Sequence, residues 1–247
     1  MLLEQKFIDE MGITEYNCEK QFVSKKNKVQ LINTLLEGGG KQYFVVKEYS
    51  GPKNSIQREA DILDGLNEMG VSAPRLYYRG ERAIVMEYVS GSPLIDVMTD
   101  VEYIAQESLD YINVKGIASH LSRWLDSFYK AAARITGENT ILGDISLRNF
   151  LVGYKLYGID FEDCREGYIE EDMGRLLAFI VTYLPAFTPF KIRFAEEVYC
   201  AMKGRTHLDR DFVMAEVLKE LDSIRERRDM EIPKDIAQKI LQGNPSQ

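Results

Sequence analysis

The sequence predicts an α+β protein of two lobes: a small antiparallel β-sheet lobe with one helix, followed by a mainly helical lobe. Three observations predict it. Residues 20–50 alternate apolar and polar as strands do, whereas most segments beyond residue 94 repeat their apolar residues at helical spacing. Between the two regimes lies "VSGSP", residues 89–93, a Gly/Ser/Pro joint. A chain of 247 residues, 45% hydrophobic, is also long enough to bury one large core or two lobes. The boundary falls at the joint, giving lobes 1–89 and 90–247.

The elements follow in order. "KQFVS", "VQLINTLL" and "QYFVVKEY" read as a three-stranded meander, the last two strands joined by the turn signal "EGGGK". Residues 54–69 place Ile56, Ala60, Leu63 and Leu66 on one helical stripe. "RLYYRG" and "RAIVMEY" add two strands. Helices are then predicted over 100–112, 115–135, 170–183, 189–203, 208–228 and 233–242. One strand pair, "RNFLVGY" and "KLYGIDF", turns near Gly153 and Tyr154. Residues 189–242, with Phe212, Val213, Val217, Leu218 and Leu221 at helical spacing, are expected to complete the helical lobe.

Composition excludes several classes. Lys plus Arg is 31 against 39 Asp plus Glu, a formal charge of −8, which argues against a surface that coats nucleic acid. Cys18, Cys164 and Cys200 have no metal-ligand spacing and make no disulfide framework, so a reducing cytoplasm is expected. The first residues lack an apolar signal core and no stretch approaches eighteen uninterrupted apolar residues, so neither export nor a membrane span is expected. "EGGGKQ" is not a phosphate-binding P-loop, whose pattern needs separated glycines and Ser or Thr after the lysine.

Five residues carry the chemistry. "LGDISLRNFLV", residues 142–152, places Asp144 five positions before Asn149, and "IDFED" follows with Asp160. Phosphoryl transfer needs Mg²⁺ on oxygen ligands, a carboxylate to orient the attacking hydroxyl and a cation for the phosphates. Asp144, Asn149 and Asp160 suit the first two requirements. Lys47 ends the apolar strand "YFVVK", and Glu59, on the following helix, can pair with it. A buried lysine left unpaired is costly, so the pairing also has a structural reason. Taken singly, Asp144 or Asn149 is more readily explained by a capping or turn role; it is their coincidence with "IDFED" and an upstream strand lysine that points to chemistry.

Together these stretches resemble the protein-kinase-like fold, especially its atypical branch of aminoglycoside phosphotransferases, choline kinases, RIO-type kinases and lipopolysaccharide-sugar kinases. "LGDISLRNFLV" is similar to that branch's His-Gly-Asp-x-x-x-x-Asn loop and "GIDFED" to its metal-binding Ile-Asp-Phe-Glu segment. "FVVKEY" resembles the strand of the phosphate-anchoring lysine, "READIL" the helix of its glutamate partner and "AIVMEYVSG" the adenine-holding hinge. The motifs stand in the family's order over roughly residues 20 to 183.

The resemblance implies an ATP- and Mg²⁺-dependent phosphotransferase acting on a hydroxyl of a small molecule or protein, with residues 1–89 the nucleotide-binding lobe and 90–247 the catalytic one. Asp144 would be the catalytic base, Asn149 and Asp160 the Mg²⁺ ligands, Lys47 the phosphate anchor and Glu59 its partner. Glu87 and Val89 would meet adenine through their backbones, with Met86 behind it.

Leu142 replaces the loop's usual histidine, and "VSKKNKV" has no glycine where a nucleotide-covering loop belongs; Lys25, Lys26 and Lys28 either meet phosphates by charge instead or form a solvated hairpin tip. Both departures suit an alternative, a pseudokinase that binds nucleotide or a partner without turnover. The stretch between Tyr88 and Asp144 suits two helices but is short for the insert that cradles small acceptors, so the acceptor stays open. Asp172 stands where the atypical branch starts a helix beneath the catalytic loop. His120 and His207 read as structural, Trp124 with Leu121, Leu125 and Phe128 as core, and the carboxylates between Asp96 and Asp110 as a solvated helix face.

Overall fold

The structure, a computed structural model, describes residues 3–51, 53–105 and 114–242. They form two compact units, Met1–Ser90 with Asp160–Glu162, and Gly91–Ile159 with Asp163–Gln247. The segment Asp160–Glu162 thus packs with the first ninety residues, far from it in sequence.

The first unit is built on antiparallel strands β1 (Ile13–Phe22), β2 (Lys28–Leu36), β3 (Lys41–Glu48), β4 (Leu76–Arg79) and β5 (Ala83–Glu87), ordered β1-β2-β3-β5-β4. The β2–β3 turn needs its glycines: Gly38 (φ 95°) and Gly39 (φ 85°) occupy backbone that side chains resist. "EGGGK" is therefore a hairpin.

Helix α1 (Gln5–Met11) and helix α2 (Lys53–Glu68) complete the unit, so it carries one more helix than expected. Seven residues are too few to display a periodicity, yet α1 is anchored by Phe7, which meets Phe44 edge-on at 5.3 Å within the cluster of Leu3, Ile13, Ile32, Val46 and Val85. On α2 the expected stripe of Ile56, Ala60, Leu63 and Leu66 is buried. Strand β1 starts earlier than "KQFVS" suggests, because it is an edge strand exposed along most of its length and so shows no alternation.

The second unit contains short strands β6 (Ser92–Pro93), β7 (Thr140–Ile141), β8 (Phe150–Val152), β9 (Leu156–Gly158) and β10 (Arg165–Glu166). Its helices are α3 (Leu94–Ala105), α4 (Val114–Thr136), α5 (Ile169–Thr182), α6 (Pro189–Lys203), α7 (Arg210–Arg228) and α8 (Ile236–Ile240). The predicted helix 100–112 is met by α3 up to Ala105; residues 106–113 lie outside the described residues. Trp124 stacks on Phe128 at 5.5 Å and takes Phe150 edge-on at 5.2 Å, which places β8 on α4. A Cβ on Gly158 would lie 2.0 Å from the Trp124 ring, so only glycine lets β9 pass there.

Two expectations for helix faces are corrected. Glu102 is not on a solvated face: it is buried, 2.8 Å from the buried ammonium of Lys191, and accepts from Thr188. The buried stripe of α7 is Val213, Val217, Leu221 and Ile224, while Leu218 is 47% exposed. Among the described residues no helix is long and apolar enough to cross a membrane.

Candidate functional site

Lys47 occupies an inward position on β3, and its ammonium is the hub of the first unit's polar cluster. Nζ lies 2.8 Å from Glu59 Oε2, 2.6 Å from Asp160 Oδ1 and 3.0 Å from Glu162 Oε2. The contacts to Glu59 and Asp160 are hydrogen bonds, and Glu162 completes a ring of three carboxylates around the ammonium. Burial alone would depress this lysine, but Glu59, Asp160 and Glu162 together outweigh burial and hold the ammonium above its usual range.

Glu59 is 1% exposed. It also accepts from the Tyr49 hydroxyl and, through Oε1, from the Phe161 N–H at 3.2 Å. Burial pushes its carboxyl up against the pull of Lys47, and burial followed by the Glu59 charge raises the Tyr49 phenol.

Asp160 adopts a left-handed backbone (φ 66°), which Asp tolerates better than most residues, and its side chain is 48% exposed. Among the described residues Glu59, Asp160 and Glu162 offer oxygens within 4.8 Å of one another. One ammonium among three carboxylates leaves a surplus of negative charge, a setting that suits a hard dication. Glu162 was legible only as part of "IDFED", and Tyr49 gave no signal beyond its place after the strand.

Met86 and Val89 are buried and Glu87 is half-buried. The Glu87 N–H donates to Arg75 O (2.8 Å), and Glu87 Oε2 accepts from Arg75 N–H (3.1 Å), so this residue closes the end of the β4–β5 pair.

Asp144 and Asn149 belong to the second unit. Gly143 precedes Asp144 with φ 74°, and a Cβ there would lie 2.4 Å from the Asp163 carbonyl oxygen. Asp144 is exposed. Asn149 ends a short 3-10 turn, Leu147–Asn149; its Nδ2 donates to Asp144 O (2.7 Å) and its Oδ1 accepts from the Ser146 hydroxyl (3.0 Å). The turn role open to Asn149 is thus realised, and it holds the loop in shape around Asp144.

The brace beneath this loop is Asp172, in the first turn of α5 and 1% exposed. It accepts from Leu142 N–H (2.7 Å), Gly143 N–H (3.0 Å) and the Tyr129 hydroxyl (3.1 Å). Burial raises its carboxyl to about 6, against the lowering effect of those three donors, while burial and the Asp172 charge raise the Tyr129 phenol. Leu142 is itself buried, so the loop is braced through its backbone without an imidazole.

No protein-family model matches the sequence. The chain is 30% identical over 172 residues to the EKC/KEOPS complex subunit BUD32 of Encephalitozoon cuniculi, an alignment covering 69% of this chain and 74% of that protein. It is 27% identical over 109 residues to the subunit of the same name from Enterocytozoon bieneusi, covering 44% and 52% respectively. Among solved structures, the gentamicin–APH(2″)-IIa complex superposes with a TM-score of 0.58 at 14% identity, over 98% of this chain and 97% of that one. Amicoumacin kinase hAmiN in complex with AMP-PNP, Ca²⁺ and Ami gives 0.55 at 11%, over 98% and 95%. The sheet unit, the helical unit and these likenesses agree on a protein-kinase-like fold, and within it the chain belongs to the kinase-like family of the EKC/KEOPS complex subunit BUD32.

Proposed function

We propose that the protein transfers the γ-phosphoryl group of ATP, with Mg²⁺, to a hydroxyl acceptor. The observation that carries this reading is the convergence of Glu59, Asp160 and Glu162 on the buried Lys47 ammonium. Such a cluster is expensive to bury, and it matches what the handling of a metal-bound polyphosphate requires: a fixed cation for phosphate and hard oxygen ligands beside it.

In this reading Lys47 anchors the nucleotide phosphates and Glu59, held by Tyr49 and Phe161, fixes the lysine. Asp160, the most exposed of the three carboxylates, and the amide oxygen of Asn149 hold Mg²⁺, whose charge offsets that of the phosphates when bound. Asp144 orients the acceptor hydroxyl and takes its proton. Glu87 and Val89 lend backbone groups to the adenine, with Met86 lining the back of its pocket; the Glu87 N–H is already committed to Arg75 O, so it is not the group offered. The donors fit the cation, being carboxylate and carboxamide oxygens without sulfur or imidazole.

A second reading has a specific support: the relatives are named as subunits of a complex. In it the chain binds nucleotide and a protein partner without turnover, in agreement with Leu142 and the glycine-free β1–β2 loop. Thermal-shift titration with ATP, with and without Mg²⁺, followed by ATP consumption against hydroxyl compounds and candidate protein acceptors, tests both. Mg²⁺-dependent stabilisation with acceptor-dependent consumption supports phosphotransfer. Stabilisation without consumption supports the binding module, and no stabilisation rejects both.

A further inference from the structure

The β1–β2 loop, residues 23–27, has no glycine with which to bring bare backbone close to a phosphate. It is pinned at its end instead. Asn27 Oδ1 accepts the Ser50 N–H (3.3 Å), Asn27 Nδ2 donates to Glu162 Oε2, and the Asn27 N–H is capped by Ser24 Oγ (3.3 Å). Lys26 Nζ lies 3.6 Å from the other Glu162 oxygen. Glu162 Oε2, 3.0 Å from Lys47, is therefore shared between the loop and the lysine.

The three carboxylates on Lys47 are not equally replaceable. Glu59 is locked by Tyr49 and Phe161, and Glu162 is 10% exposed and tied to Asn27. Asp160 is 48% exposed. With three carboxylates already on the ammonium, a phosphate oxygen must compete with them for Lys47, and Asp160 is the least held.

We propose that Glu162 and Asn27 are positioning residues: a tether that couples the glycine-free loop to Lys47, so that both keep one geometry while Asp160 is exchanged for phosphate. The consequence for nucleotide rests on the phosphotransferase reading; the tether itself does not.

Amide hydrogen exchange on the full chain without nucleotide tests the tether. The Ser50 and Asn27 amides should be protected in the parent. Asn27→Ala and Glu162→Ala should each speed exchange there by ~10-fold, the scale of one hydrogen bond to a charged group, and the double variant should add little further. Glu162→Gln, whose carbonyl still accepts from Asn27, should retain protection, which separates loss of the tether from misfolding. With Mg·ATP, the two alanine variants should bind ~10-fold more weakly, with the maximal rate less affected.

Exchange in the parent as fast as in the variants overturns the tether. Lost protection with unchanged nucleotide affinity overturns the positioning role. A protected loop in a parent that binds no Mg·ATP overturns the phosphotransferase reading, and the positioning role with it, while the tether stands.

Discussion

Lys47 Nζ and Glu59 Oε2 lie 2.8 Å apart with both side chains nearly out of solvent, at 6% and 1% exposure, so this is a buried pair and not a surface one. Exposed pairs contribute at most about 1 kcal/mol, whereas removing one partner of a buried pair costs about 3–5 kcal/mol because the other charge is left uncompensated. Lys47→Ala leaves three carboxylates facing one another. Urea denaturation should show a loss in the buried range, and nucleotide titration a loss of affinity. A change below about 1 kcal/mol would place the pair in the surface class.

The two acids proposed for catalysis should fail differently. Asp160→Asn removes a hard ligand and one partner of Lys47, and should abolish the Mg²⁺-dependent part of ATP binding together with turnover. Asp144→Asn should leave Mg·ATP binding nearly intact while turnover falls ~10²–10⁴-fold, the usual contribution of a positioned base. Calorimetry and a transfer assay on the parent and both variants decide it; equal loss of binding in the two would remove Asp144 from the role of base.

What could be read from the sequence was what local pattern encodes. Lys47 stood out because it ends an apolar strand, and Glu59 because it follows on a striped helix. Asp160 stood out because it sits between a β-strand and "FED". The missed features depend on partners distant in sequence or on faces without contrast. Asn27 meets Glu162 across 135 positions, and nothing near Asn27 announces a carboxylate. Glu102 resembled its solvated neighbours until Lys191 was folded onto it. The outer half of β1 was silent because an edge strand exposed on both faces carries no alternation.

Asp172 gives a pH dependence whose sign is fixed by its surroundings. Its folded carboxyl, at about 6, lies above the ordinary aspartate value of 3.8, so between about pH 4 and 6 the native chain holds a proton that the unfolded chain has lost. Its contribution to stability is therefore full below that window and declines as pH rises through it, by up to ~3 kcal/mol at ~1.4 kcal/mol per unit. Urea denaturation of the parent and Asp172→Asn from pH 4 to 7 isolates the group, since Asn does not titrate. The parent's stability relative to the variant should fall across the window and level off above it; a difference that rises with pH would mean that the Leu142, Gly143 and Tyr129 donors outweigh burial. Tyr129→Phe removes one donor and should raise the upper edge of the window, leaving the lower edge, set by the unfolded chain, in place.

Helices α5 and α7 cross at Gly174 without room for a methyl group. A Cβ there would lie 2.4 Å from Glu216 Cβ, 2.7 Å from the Glu216 carbonyl carbon and 2.8 Å from the Val217 N, and two of these three neighbours are backbone that cannot swing aside. In an exposed helix Gly→Ala gains about 0.8–1 kcal/mol from propensity. Here the helices must separate, overpacking costs about 1–3 kcal/mol, and Met173, Leu177, Val213 and Val217, buried on the same two helices, share the strain. Gly174→Ala should therefore lower the melting temperature by several degrees, at about 2–4 °C per kcal/mol for a chain of this size. The same crossing makes the tail part of the second unit, so truncation after Tyr183, which strips α6, α7 and α8 from α5, should give an aggregating product with no cooperative melt. A Gly174→Ala protein as stable as the parent, or a truncated chain that melts cooperatively, would show that α7 is not packed on α5 as described.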